Sequence, residues 1–288
     1  MQAPCRILVL LPVYKQNYIL SPAYQSILNN FRAVKARSEL DLAISIYDNS
    51  PLASENKVVV EGLPIFYYHD SDNPGVSKAY NYGYQQAKKL DFDWVLLMDQ
   101  DTTLTGFGLM EYIKSIKMYP EILIHAPILK SGQLIISPSK YKFRRGFALK
   151  NIKPGIKRLG EIVPLNSGMC IKLSVFESVN GYNEKICLDF SDFDFIRRVS
   201  KKIKHFVVMP LVNNHALSSI DETYESSKIR YIYYCNGAYH SRISRIDPFI
   251  FGWVIFLRGL KLSLKFKSFA FFHIFLTTTL WRKGKSEV

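Results

Sequence analysis

The first hundred residues hold four short apolar runs: RILVLLPV (6–13), LAISIYD (42–48), PIFYY (64–68) and WVLLM (94–98). Each is bounded by polar residues and too short for a core helix, so each reads as a buried strand. Between them lie stretches with helical spacing. One covers 20–37, where Ile27, Phe31 and Val34 recur every three or four residues. Another covers Val76 to Leu90, with Asn73 expected as its cap and Pro74 at its start. The order strand–helix–strand–strand–helix–strand predicts an α/β domain, a mostly parallel sheet flanked by helices. Ligands of such sheets sit beyond the carboxyl ends of the strands. Asp48, the turn at 69–75 and the pair Asp99 and Asp101 all fall at such ends.

The remaining chain reads as mixed short strands and basic loop (122–172), a short helix closed by Asn180-Gly181, a helix over 190–203 and a strand over 205–212. From about 223 it turns helical, aromatic and basic, which divides the 288 residues into a domain at 1–222 and an extension at 223–288. Cys5, Cys170, Cys187 and Cys235 stand singly, without zinc-site spacing, so neither a disulfide framework nor a structural zinc is expected and a reducing compartment fits. The N-terminal apolar run is expected to be the first strand rather than a signal peptide. No run reaches the roughly 18–20 apolar residues that cross a bilayer.

The net charge of +14 is uneven. Residues 139–160 carry eight Lys/Arg and no acid, and 228–288 carry eleven against Asp247 and Glu287. Such regions call for anionic partners: nucleic acid, nucleotide phosphates or anionic lipid. No helix-turn-helix, RNP or zinc pattern accompanies them, and the acid-lined strand ends argue against nucleic acid.

Asp99 and Asp101 flank Gln100 where a buried strand stops. Side chains two apart on an extended chain share a face, and two carboxylates aimed at one spot repel unless a cation or a proton intervenes. The pair therefore reads either as an exposed turn or as a Mg²⁺ or Mn²⁺ site that also holds a diphosphate. Asp48 reads as a turn acid or as an acceptor for a nucleotide base N–H. In DNPGVSKAYNYG (72–83), Gly75 and Gly83 suit packing, while Asn73, Lys78 and Asn81 are candidates to meet phosphates at a helix start. Near the helix at 190–203, Asp189 or Asp192 reads as a cap. Alternatively, Asp192, which shares a face with Ile196 and Val199, is a general base aimed into a cleft.

These motifs, in this order, resemble the family 2 glycosyltransferases of GT-A fold, a Rossmann-like architecture, and most of all the rhamnosyltransferase-like branch of bacterial O-antigen and capsule synthesis. The resemblance runs through LPVY (11–14), YDNS (47–50), NPGVSKAYNYG (73–83), DQD (99–101), NSGMCI (166–171), GYNEKICLDFSDFDFIRR (181–198), NNH (213–215) and YYCNGAY (233–239). It implies donor contacts at Pro12, Tyr14, Asp48, Asn73, Lys78, Asn81, Asp99, Gln100, Asn166, Ser167 and Gly168. It implies a Mg²⁺ or Mn²⁺ ion at Asp99, Asp101 and His215, and Asp192 as base. Two departures stand out: Ser191 replaces the first acid of the base motif, with Asp189 and Asp194 as substitutes, and Cys235 stands where an arginine is frequent.

Family likeness further implies inverting transfer from a nucleoside diphosphate sugar, L-rhamnose from dTDP-rhamnose or a hexose from UDP-galactose, UDP-glucose or UDP-galactofuranose. The tail (246–288) alternates aromatic patches with Lys and Arg, a composition suited to an anionic membrane surface. The implied acceptor is then a polyprenyl-diphosphate-linked saccharide, met at the cytoplasmic face of a bacterial membrane. The alternative for the tail is packing on the domain or on a second subunit. A nucleotidyltransferase also uses paired acids on an α/β sheet, but LPVYKQNYILSP lacks the expected glycine-rich loop. A degenerate, non-catalytic member of the fold is the remaining rival.

Overall fold

The computed structural model describes residues 4–34, 39–54, 58–216 and 223–279. The expected end of the first helix (35–37), the expected boundary at 222 and the WRKGK end of the tail (281–285) lie outside these residues.

The chain begins β1 (Cys5–Val13), α1 (Pro22–Val34), β2 (Leu40–Asp48), β3 (Ile65–His69), α2 (Val76–Lys89) and β4 (Trp94–Leu97). β1 pairs in parallel with β2 and β4, and β2 in parallel with β3. The apolar runs are continuous because both faces of this sheet are covered. Ile7, Val9 and Leu11 enter one core with Ile27 and Phe31 of α1, while Leu8 and Leu10 enter the opposite core with Tyr80 and Tyr84 of α2.

Next come β5 (Thr102–Thr103), α3 (Gly108–Met118), β6 (Ile124–Ser131), β7 (Leu134–Lys142), β8 (Arg145–Leu149), β9 (Gly155–Arg158), β10 (Ile162–Val163), β11 (Cys170–Lys172) and α4 (Leu173–Ser178). Then follow α5 (Ser191–Val199) and β12 (His205–His215). The sheet runs β10-β7-β6-β11-β4-β1-β2-β3. β11 is antiparallel to both β4 and β6, so the parallel arrangement holds on the β1–β4 side and a mixed arrangement continues it. The last two residues of β12 pair with β5, His215 opposite Thr102, which carries His215 to the end of β4.

The start of α2 differs from the sequence expectation. Its N-cap is Gly75, at φ 93°, and no side chain caps it. Asn73 lies at φ 49°, outside the helix, and the first helical N–H, on Val76, donates to the Cys187 carbonyl at 2.8 Å. A Cβ on Gly75 would stand 2.1 Å from that carbonyl oxygen, so only glycine admits the contact. A main-chain partner from the 187 segment thus replaces the side-chain cap.

The tail folds back on the domain. α6 (Tyr224–His240), α7 (Asp247–Phe266) and α8 (Ala270–Thr279) share a third core with Ile186 and Phe190, the segment leading into α5. Asp247, at the first residue of α7, is fully buried. It pairs with Arg197 of α5 at 2.6 Å and accepts a bond from Arg144 Nε at 2.7 Å. The N–H groups of Ile243 and Ser244 and the Ser244 hydroxyl also donate to it. Burial pushes this carboxyl up, but these donors outweigh it and hold the group below its ordinary value.

Removing one side of such a buried pair strands the other charge. Asp247→Ala is therefore expected to cost roughly 3–5 kcal/mol, read by urea unfolding. Because the folded value is depressed, the wild-type advantage is expected above about pH 4, the unfolded carboxylate value, and to fade as pH falls below it. A variant as stable as wild type at pH 7 would contradict the role assigned to this clamp.

Candidate active site

Parallel pairing sets the carboxyl ends of β1, β2 and β4 along one edge. There a cleft of about 880 Å³ opens, bordered on its far side by α6 and α7. Asp99, Gln100 and Asp101 leave β4 into it, beside His215. The Gln100 side-chain amide accepts from the Tyr14 N–H at 2.8 Å and donates to the Tyr14 carbonyl at 3.2 Å, stitching the end of β1 to the acidic turn.

A relay of hydrogen bonds orients the acids. The Asp99 N–H donates to Ser167 Oγ at 2.9 Å, and Ser167 Oγ donates to Thr102 Oγ1 at 2.7 Å. Thr102 Oγ1 lies 2.7 Å from His215 Nδ1. Tyr80 donates its hydroxyl to Asp99 Oδ1 at 2.8 Å. Burial raises the Asp99 carboxyl above its ordinary value against the pull of His215 and Tyr80. Burial also raises Asp101; His215 opposes the rise and Asp99 adds to it.

One ligand atom from each of Asp99, Asp101 and His215 lies within 4.8 Å of the others. Asp101 Oδ1 is buried without a hydrogen bond, 3.4 Å from His215 Nδ1. Two crowded carboxylates, an orphaned oxygen and an oriented imidazole fit a divalent cation.

Asp192 lies in the first turn of α5 and lines the same cleft. Its Oδ1 accepts from the Phe193 N–H at 2.7 Å. Burial lifts its pKa to about 7, with Asp99 and Asp189 adding to the rise. Neither Asp189 nor Asp192 is the cap of α5: the N-cap is Phe190, at φ 73°, without a side-chain bond. Asp194 points elsewhere, paired with Arg198 Nε at 2.8 Å. Asp189 is the acid that joins Asp192 in the cleft.

Pro12, Tyr14, Asn73, Gln100, Asn166 and Ser167 line the cleft. Four residues do not. Asp48 is buried beneath it, with Oδ1 accepting from the Ser50 N–H and Oδ2 from the Tyr67 hydroxyl, and its neighbour Asn49 faces the cleft instead. Lys78 lies 3.5 Å from Asp70, and Asn81 is bound to Tyr182 and Glu184; both line a separate groove of about 660 Å³. Gly168 packs under the turn, its N–H donating to the Leu97 carbonyl at 2.7 Å. Helical spacing fixes neighbours on one element but not which cleft they face, so the groove that Lys78 and Asn81 line is not legible from it. Arg230, Tyr233 and Arg258 also line the cleft. The two arginines carry no sequence signal beyond the basic composition of the tail, whereas Tyr233 belongs to YYCNGAY (233–239).

No protein-family model and no curated protein matches the chain. Among solved structures it resembles S. aureus TarS 1–349 in complex with UDP, with TM-score 0.54, 13% identity and coverage of 98% of this chain and 93% of that one. The mannosyltransferase PcManGT from Pyrobaculum calidifontis, in complex with GDP-Man and Mn²⁺, gives TM-score 0.52 at 10% identity, covering 99% and 77%. TarS 1–349 in complex with UDP-GlcNAc gives 0.51 at 13% identity, covering 96% and 82%. Likeness at these identities establishes the fold, an open α/β sheet of GT-A type flanked by helices.

If Asp99, Asp101 and His215 hold a cation, calorimetric Mn²⁺ titration should show Asp101→Asn and His215→Ala losing most of their affinity. Thr102→Val, which releases the imidazole, should lose about 10–100-fold. Equal Mn²⁺ affinity in wild type and all three variants would remove the cation from this site.

Proposed function

We propose that the chain is an inverting, metal-dependent glycosyltransferase that uses a nucleoside diphosphate sugar. The observation that carries the reading is the meeting of Asp99, Asp101 and His215 with Asp192 in one cleft at the carboxyl ends of parallel strands. The solved neighbours are complexes with UDP, with UDP-GlcNAc, and with GDP-Man and Mn²⁺, which supports a nucleotide-sugar donor.

In this reading Asp99, Asp101 and His215 hold Mn²⁺ or Mg²⁺, with Mn²⁺ favoured because the set includes an imidazole and Mg²⁺ prefers oxygen ligands. The bound ion supplies charge stabilisation to a departing diphosphate. Asp192 takes the proton of the acceptor hydroxyl as that oxygen attacks the anomeric carbon from the face opposite the leaving group. A carboxyl with a pKa near operating pH suits that task. Pro12, Tyr14 and Asn73 contact the donor from the β1 side, with Asn49 replacing Asp48 as the residue facing it. Asn166 and Ser167 border the sugar. The domain division proposed from sequence, 1–222 and 223–288, gives the second part a share in the cleft through α6 and α7.

Within this reading the donor is L-rhamnose from dTDP-rhamnose, with UDP-galactose, UDP-glucose and UDP-galactofuranose as alternatives. Thermal stabilisation by each of these in the presence of Mn²⁺ decides among them. The acceptor is a polyprenyl-diphosphate-linked saccharide of a bacterial surface polysaccharide, reached from the cytoplasmic face of the membrane. Support comes from α7, whose outer face exposes Phe249, Trp253, Leu257, Leu260 and Leu264 at helical spacing. Arg245, Lys261, Lys265 and Lys267 accompany this stripe, a pattern suited to an anionic interface. Among the described residues no helix is long and apolar enough to cross a membrane.

Asp192→Asn is expected to lower the transfer rate by about 10²–10⁴-fold while nucleotide-sugar binding persists. Transfer by the wild type should rise with pH as Asp192 loses its proton and level off above about 7. A bound cation draws that limb lower. Near-normal turnover by the variant would refute the base assignment. In flotation with phosphatidylglycerol vesicles, the full chain should float and Phe249→Asp/Trp253→Asp should stay in the dense fraction; equal partitioning would discard the membrane surface.

A further inference from the structure

The cleft wall also carries basic residues from the tail. α6 contributes Arg230 and Tyr233 to its wall, and α7 contributes Arg258 and Leu262. Both guanidiniums act on one carboxylate, Asp189, opposing the upward push of its burial. Asp192, which feels Asp189 as well as Asp99, lines the same cleft.

The simple explanation is that the two arginines neutralise Asp189. The same protein shows what such a clamp looks like. At Asp247 two arginines close to 2.6 Å on a carboxylate with 0% exposure, and all parties are committed. At Asp189 the nearer guanidinium, Arg230, stands 3.8 Å from Oδ1, too far for a hydrogen bond, and is 45% exposed. Arg258 lies 4.1 Å over the Tyr234 ring and forms no ion pair among the described residues. The pair therefore has donors to spare and surplus positive charge toward the cleft. Planar guanidinium forks match phosphate oxygens, and two of them at one wall make a phosphate seat.

We infer that Arg230 and Arg258 seat a phosphate or diphosphate group of the acceptor, so that the enzyme takes a phosphorylated saccharide and presents its hydroxyl to Asp192. The inference rests on the glycosyltransferase reading and adds the residues that hold the acceptor's phosphate. The phosphate belongs either to a lipid carrier or to a soluble phosphorylated saccharide. α7 favours the lipid, because the helix that turns Arg258 into the cleft exposes the apolar stripe on its outer face.

Titration of the full chain in EDTA, where no cation can bridge phosphate to the acids, separates this seat from the donor site. The probes are inorganic pyrophosphate, farnesyl diphosphate and farnesol. Both diphosphates should bind, farnesol should not, and Arg230→Ala and Arg258→Ala should each weaken diphosphate binding about tenfold or more. Arg230→Lys should fall between. Mn²⁺-dependent binding of UDP or dTDP should stay unchanged in these variants, which also shows that they fold. Tighter farnesyl diphosphate than pyrophosphate assigns the seat to a lipid carrier; equal binding assigns it to a soluble phosphate. Pyrophosphate binding unaffected by either alanine variant overturns the inference, as does a matching loss of Mn²⁺–nucleotide binding, which would give the arginines to the donor. If pyrophosphate binding in EDTA depends on the arginines but no nucleotide binds with Mn²⁺, the seat stands and the donor reading fails.

Discussion

Two carboxylates held side by side at the end of a buried strand are an electrostatic problem that the rest of this site is arranged around. Asp99 and Asp101 are both pushed toward protonation by burial, and Asp99 pushes Asp101 further. Local hydrogen bonds relieve this only in part. Tyr80 serves one oxygen of Asp99, yet Asp101 Oδ1 is left without a bond. The protein fixes the geometry instead of dispersing it. Ser167 and Thr102 form a chain to His215, and Gln100 is locked to the main chain of Tyr14. Rigidity of this kind maintains the repulsion, which a divalent cation held by these residues would relieve.

The second constraint is close approach of backbone to backbone around the segment 187–190. α2 starts against the Cys187 carbonyl, and α6 passes so near the Asp189 carbonyl that a Cβ on Gly237 would lie 2.3 Å from it. Held from both sides, the segment leads through Phe190, at φ 73°, into the first turn of α5, where Asp192 sits. Asp247 then anchors α7 to α5 through Arg197. The position of the proposed base thus depends on the tail, and the tail's arginines become part of the cleft wall. A chain cut near 222 would expose the α6–α8 side of Ile186 and Phe190 and leave Arg197 without its buried partner.

Much of this was legible in the residues. Continuous apolar runs marked β1, β2 and β4 because both faces of the sheet are covered. The acids were legible because charge immediately after such a run needs a reason. His215 was legible by its place in NNH, and the structure brings it to Asp101 through the β12–β5 pairing. What stayed hidden depends on contacts between distant segments. The start of α2 is completed by Cys187, so no local capping pattern could reveal it. Asp48 lies where the sequence put it, but Ser50 and Tyr67 turn its oxygens inward. Lys78 and Asn81 follow helix periodicity, yet that periodicity does not say that Asp70, Tyr182 and Glu184 claim them. Arg230 and Arg258 looked like part of a diffuse basic surface until the fold of α6 and α7 over the cleft singled them out.

The central claim is that one cation joins this acid–histidine cluster to a diphosphate. Pulsed electron paramagnetic resonance of the protein with Mn²⁺ and a nucleoside diphosphate reads both contacts at once. The account predicts a nitrogen coupling that His215→Ala abolishes, together with phosphorus couplings from the nucleotide, on the same Mn²⁺ ion. Mn²⁺ bound to the protein with neither the His215 nitrogen nor nucleotide phosphorus in its coordination sphere would contradict it.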